Sequence, residues 1–124
     1  MPPVPIIAVV DDDLAIREAM DDLIRSFGYE CRVFSSAEEF LDFDPRSAID
    51  CMVVDVKMPG LTGIELQAEL NRRQSRPPMI FVTSYEDERT RNTALNGGAL
   101  AVLRKPVDIG ALIGCLETAL GPRG

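Results

Sequence analysis

Five side chains carry the chemical interest of this 124-residue chain: Asp11, Asp12, Asp55, Thr83 and Lys105. Carboxylates a few Å apart repel by about 4 kcal/mol per pair at ~4 Å, even at an effective dielectric near 20. Three of them together therefore need a cation. Oxygen-only donors suit Mg²⁺, which takes one or two carboxylates and keeps coordination positions open to a phosphate oxygen. An aspartate can attack phosphorus and form an aspartyl phosphate. An ammonium and a hydroxyl would neutralise and hydrogen-bond the other phosphoryl oxygens. Phosphoryl transfer is mostly positioning and charge stabilisation of this kind.

Singly, each residue has an ordinary reading. Asp11-Asp12-Asp13 also suits a helix N-terminus, where acids cap the chain and complement the dipole. Asp55 and Thr83 are unremarkable at a strand end, and most lysines are simply solvated. The weight lies in the elements that would position them. Ile6–Val10, Cys51–Val54 and Met79–Val82 are short apolar runs, read as strands buried on both faces. Glu30–Phe34 and Ala101–Leu103 complete five strands. Asp11/Asp12, Asp55, Thr83 and Lys105 each lie just after one of them.

Helical patterns fall between the strands. Ile16, Met20, Leu23, Ile24 and Phe27 have helix spacing, closed by Gly28. Ser35-Ser36-Ala37-Glu38-Glu39 is a capped helix start, with Phe40, Leu41 and Phe43 as its apolar side. Ile64, Leu66 and Leu70 mark a third helix after the Met58-Pro59-Gly60 turn. Asp87–Asn96 is a polar fourth of weak period, ended by Gly97-Gly98. Ile109, Leu112, Leu116, Ala119 and Leu120 line the last. Pro45 and Arg76-Pro77-Pro78 fall in connections. The alternation predicts an α/β fold: a parallel sheet with helices on both faces and right-handed crossovers. Ligands of such sheets bind at the carboxyl ends of the strands, near the point where strand order reverses.

Composition narrows the function. The length suits one domain, residues 1–124, with no repeat or linker. A net charge of −7 argues against direct nucleic-acid binding. The absence of histidine removes Ser-His and Cys-His catalysis. Cys31, Cys51 and Cys115 fit no zinc or redox spacing and suit a reducing compartment. No apolar run is long enough for a membrane span, and the N-terminus has no signal-peptide pattern. The expected location is the cytoplasm.

Val9-Val10-Asp11-Asp12-Asp13, Val53 to Gly63 around Asp55, Phe81-Val82-Thr83-Ser84 and Leu103-Arg104-Lys105-Pro106 resemble the four signature blocks of the response-regulator receiver family, in order and across the whole chain. Ser36-Ala37-Glu38-Glu39-Phe40-Leu41 resembles receivers of nitrogen-fixation transcription factors, which carry a C-terminal DNA-binding domain. The resemblance implies a flavodoxin-like, doubly wound (βα)5 fold with strand order 2-1-3-4-5. It implies phosphorylation of Asp55 by a sensor histidine kinase or phosphotransfer protein. It also implies Mg²⁺ held by Asp12 and Asp55 directly, by Asp11 through water and by the Lys57 carbonyl. Thr83, Lys105 and the Ser84 amide would bind the phosphoryl group. Lys105-Pro106 would be cis. The kinase would dock at Ala15, Ile16 and Ala19, and homodimers would form through the face of the fourth helix, fifth strand and fifth helix.

The family usually has Tyr or Phe where this chain has Val102, a stiff β-branched residue without a ring to swing. Either switching is lost or Val102 fills strand space while other elements carry the switch. Gly110 and Gly114, at i and i+4 of the last helix, either permit close approach of a partner or are merely tolerated. Tyr85 and Lys57 would flank the phosphoryl site. Two other classes compete. An Mg²⁺-dependent aspartyl-phosphate phosphatase or phosphotransferase would want a second aspartate where Lys57 stands. A degenerate interaction module would not keep the set of Asp12, Asp55, Thr83 and Lys105.

Overall fold

A computed structural model of the protein describes residues 4–43, 48–75, 77–84 and 87–121. Pro45, Arg76 and Tyr85 lie outside the described residues. The elements follow the expected order: β1 Ile6–Val10, α1 Leu14–Ser26, β2 Glu30–Phe34, α2 Ala37–Asp42, β3 Cys51–Asp55, α3 Gly63–Arg72, β4 Met79–Thr83, α4 Glu88–Asn96, β5 Ala101–Arg104 and α5 Ile109–Leu120. All strand pairs are parallel, and the sheet order is β2-β1-β3-β4-β5.

The period of two along each strand sends neighbours to opposite faces. On β1, Ala8 and Val10 join Phe40 of α2, Leu66 and Leu70 of α3 and Ala94 of α4. Ile7 and Val9 join Met20 and Ile24 of α1 and Leu112 and Leu116 of α5. The sheet thus lies between α2–α4 on one side and α1 with α5 on the other. Phe40, Phe81, Ile24 and Leu112 are fully buried. Each such side chain contributes roughly 1.5–3 kcal/mol relative to exposure.

Local signals set the helix ends. The side chains of Asp13, Ser36, Thr62, Asp87 and Asp108 accept backbone N–H groups as N-caps. Thr62 and Glu65 form a reciprocal capping box. Gly28, at φ +90°, turns the chain out of α1. Phe27 departs from expectation. It is the C-cap of α1 and 38 % exposed, because the chain turns away before its side chain reaches the sheet.

The chain runs from β1 outward to β2, then returns to the other side of β1 for β3. The carboxyl ends of β1 and β3 therefore form the switch point of the sheet. Asp11 follows the first and Asp55 ends the second.

Candidate functional site

The three consecutive aspartates have three different environments. Asp13 is the cap of α1, its Oδ1 accepting the Ile16 N–H at 3.2 Å. Asp11 is buried, and both its carboxylate oxygens are engaged. Oδ1 accepts the Asp13 N–H at 2.9 Å, and Oδ2 accepts from Lys105 Nζ at 2.9 Å. Asp12 is exposed. The helix-cap reading of the acidic run thus holds for one residue, and the other two are left to the site.

Asp55 ends β3 and is only 7 % exposed. Its Oδ1 accepts the Lys57 N–H at 3.3 Å, and its Oδ2 lies 3.4 Å from Lys105 Nζ. Burial, and then the charge of Asp11, push its pKa above the ordinary carboxylate value, against the opposing pull of Lys105 and the Lys57 amide. Lys105 directly follows β5, and its N–H donates to the Thr83 carbonyl at 2.8 Å. Burial alone would lower the pKa of its ammonium. Asp11 and Asp55 outweigh that, and the net shift is upward. Thr83 is buried at the end of β4. Ser84 follows it, exposed, at the start of the β4–α4 loop. The Lys105–Pro106 peptide is cis.

Asp11, Asp12 and Asp55 each offer an oxygen, all within 4.8 Å of one another. Three carboxylates against one ammonium leave a net charge of −2 among these four groups. An oxygen-only, doubly negative cluster fits a hard divalent cation such as Mg²⁺. The exposed Asp12 is the member with the least competition for its oxygens, and Asp11 has the most.

Other site residues were not apparent in the sequence. Arg17 donates to the Asp11 carbonyl at 2.7 Å and ties α1 to the acidic turn. Its place one turn after Asp13 on a capped helix was the available signal. Gly63 opens α3 hard against β3. A Cβ there would run into the Asp55 carbonyl and come within 3.0 Å of the Phe81 ring. Ile16 and Ala19 line an apolar groove of about 490 Å³ beside Lys105, with Met20, Leu23, Val82, Pro106 and Val107. Ala15 is exposed on the same helix but does not line it. Val102 is buried beside Phe81 in the α4-side core and fills strand space. Its carbonyl accepts from Arg91 of α4 at 3.2 Å. The cysteines take no part. Burial pushes the thiols of Cys31 and Cys51 up to about 12, beyond thiolate chemistry at neutral pH.

Fold and site together define a doubly wound α/β domain with an acidic pocket at its switch point and one lysine bridging it. A family model described as the response regulator receiver domain matches residues 7–117. The chain belongs to that family, the receiver domains of two-component response regulators. It is similar to the response regulator protein TodT of Pseudomonas putida, 36 % identical over 93 % of this chain and 51 % of TodT. It is 37 % identical to the transcriptional regulatory protein FixJ of Bradyrhizobium diazoefficiens, over 92 % of this chain and 56 % of FixJ. The chain thus spans about half the length of the curated relatives it matches. Among solved structures it resembles the response regulator StyR with a TM-score of 0.88 and 36 % identity, over 95 % of this chain and 60 % of that one. A receiver protein from Burkholderia phymatum matches with a TM-score of 0.83 and 39 % identity, over 97 % and 98 % of the two chains. The domain serves signalling. Among the described residues no helix is long and apolar enough to cross a membrane.

Proposed function

We propose that residues 1–124 form one receiver domain that takes a phosphoryl group on Asp55 from a sensor histidine kinase or phosphotransfer protein in the cytoplasm. The observation that carries this reading is the single ammonium of Lys105, 2.9 Å from Asp11 and 3.4 Å from Asp55. It marks Asp55 as a buried carboxylate with a cation beside it, where the carboxyl ends of β1 and β3 bring acids together.

The roles follow from position. An Asp55 oxygen attacks phosphorus as the bond to the donor nitrogen breaks, and the donor imidazole keeps the electron pair and takes up a proton. Asp11, Asp12, Asp55 and the Lys57 carbonyl would hold Mg²⁺. That ion would neutralise charge on the phosphoryl oxygens when bound. Lys105, released from Asp11, pairs with one phosphoryl oxygen. The Thr83 hydroxyl and the Ser84 amide hydrogen-bond others. The groove beside Ile16 and Ala19 is the docking site for the donor, with Ala15 at its margin. Output passes through the face formed by α4, β5 and α5, where Leu95, Leu100 and Ile109 are exposed. Pairing of two copies through that face belongs to the same reading. Phosphorylation and its reversal at Asp55 are the only reactions in it.

The test is incubation with acetyl phosphate and MgCl₂, read by intact mass and peptide mapping. One phosphoryl group should appear on Asp55 and be absent in Asp55→Asn. A phosphate on another residue would overturn the reading. The small-molecule phosphatase is not favoured, since Lys57 stands where its second carboxylate is needed. Turnover of a phosphate ester would revive it.

A further inference from the structure

The two glutamates of α2 do different work. Glu39 turns back on its own helix. Its Oε2 accepts the Ser35 hydroxyl at 2.7 Å, and its N–H donates to Ser36 Oγ at 3.0 Å. Capping accounts for Glu39 and leaves Glu38 unexplained. Glu38 reaches out of the helix instead. Its Oε2 accepts the backbone N–H of Leu61 at 3.2 Å, 23 positions away in sequence.

A second observation points the same way. Gly60 precedes Leu61 with φ +73°, and a Cβ at Gly60 would run into the Glu38 carboxylate. The loop therefore turns against that carboxylate, in a conformation glycine adopts without strain. The loop in question links Asp55 to the cap of α3. Near its start the Lys57 N–H bonds to Asp55 Oδ1, and Met58 is buried in the α2–α4 core. At its end the Gly63 N–H bonds to the Val56 carbonyl at 2.9 Å. Glu38 holds the segment between.

We infer that Glu38 is a positioning residue for the divalent cation. By gripping Leu61 beside Gly60, it keeps the loop bearing the Lys57 carbonyl in its binding shape and so sets Mg²⁺ affinity without touching the ion. The inference rests on the proposed site of Asp11, Asp12, Asp55 and the Lys57 carbonyl. Two physical effects of Glu38 must be separated. One is the hydrogen bond to Leu61, which needs an acceptor of the right reach. The other is its negative charge, which attracts any nearby cation and is screened by salt.

Three substitutions divide them. Glu38→Gln keeps the acceptor and removes the charge. Glu38→Asp keeps the charge and shortens the reach. Glu38→Ala loses both. MgCl₂ is titrated calorimetrically into each metal-free chain, and thermal unfolding is followed in EDTA. Glu38→Ala and Glu38→Asp should each weaken Mg²⁺ binding about tenfold, at the lower end for loss of a group that orients a ligand. Glu38→Gln should stay near the wild-type affinity, and metal-free unfolding should change little in all three. Wild-type affinity in Glu38→Ala overturns the inference. So does weak binding in Glu38→Gln with full binding in Glu38→Asp, which would assign the effect to charge. Asp12→Asn serves as the control. If the wild type shows no saturable binding that Asp12→Asn removes, the proposed site itself fails. If it does, and Glu38→Ala still binds normally, only the role of Glu38 fails.

Discussion

Lys105 and Asp11 stand 94 positions apart in sequence, yet Nζ and Oδ2 meet at 2.9 Å, with the lysine side chain 16 % and the aspartate 2 % exposed. The lysine thus favours Asp11 over Asp55, which is 3.4 Å away. In this state the ammonium stabilises the acidic pocket. To meet a phosphoryl group it must exchange one anionic partner for another.

Removing that ammonium should expose the repulsion it suppresses. Lys105→Ala leaves two buried carboxylates uncompensated and should cost about 3 kcal/mol of metal-free stability. The same variant should bind Mg²⁺ more tightly and lose most phosphorylation. The Lys105 pKa is raised in the fold, so its contribution is complete below the ordinary value of 10.5 and fades as pH rises through the folded value. Urea denaturation of both proteins in EDTA should give a constant difference across neutral pH. A difference that shrinks on acidification toward neutrality would contradict this.

Asp55 should behave in the opposite sense to a salt-bridged acid. Its pKa is raised in the fold, so the folded state binds the proton more tightly than the unfolded chain does. Stability is therefore lost as pH rises from the ordinary value of 3.8 through the folded value. Asp55→Asn should be more stable than the wild type at pH 7 without metal, by about 1 kcal/mol, the scale of a partly screened carboxylate pair. The advantage should vanish in acid. Urea denaturation across pH checks it, and a less stable variant at neutral pH would refute it.

Mg²⁺ should reverse that ranking. A ligand at 100 times its dissociation constant stabilises the fold by about 2.7 kcal/mol. Wild-type melting should rise with MgCl₂, and Asp12→Asn should lose most of the rise. Asp12 is exposed, so its metal-free melting should change little.

Two glycine-to-alanine changes should have opposite signs. At Gly63 the new methyl meets the Asp55 carbonyl, the Val56 backbone and the Phe81 ring. Overpacking of that kind costs about 1–3 kcal/mol, and it would also displace Asp55. At Gly114, inside α5, the methyl meets nothing within 4 Å. There the change should stabilise by up to about 1 kcal/mol through helix propensity and reduced unfolded-state freedom. Thermal denaturation of both variants decides the matter.

Arg91 joins α4 to β5 by donating to the Val102 carbonyl. Arg91→Ala should raise amide hydrogen exchange in Glu88–Asn96 several-fold, because local opening loses a bond worth about 1 kcal/mol. Exchange in β1 and β3 should be unchanged.

Much of this molecule was legible in its residues. Apolar runs of four or five residues separated by helical periods define a parallel sheet. In such a sheet every strand ends on the same edge. That is why the residue order alone places Asp11, Asp12, Asp55, Thr83 and Lys105 together. Helix starts within Asp11-Asp12-Asp13, at Ser36 and at Asp87 were readable for a local reason, since a cap acts within three residues of itself.

What the residues alone left open was the division of roles among like groups. Nothing in Asp11-Asp12-Asp13 says which one caps, which is buried and which stays exposed beside the site. That depends on where β1 ends against Phe34, whose carbonyl accepts the Asp11 N–H. Phe27 has core-type spacing, but the turn at Gly28 leaves it outside. Arg17, Glu38 and Gly63 act on groups brought to them by the fold: the Asp11 carbonyl, the Leu61 amide and the Asp55 backbone. Periodicity reports which side of an element is apolar, because burial is a local average. Contact between Glu38 and Leu61, or between Lys105 and Asp11, depends on strand order and register. Only the packed sheet decides those.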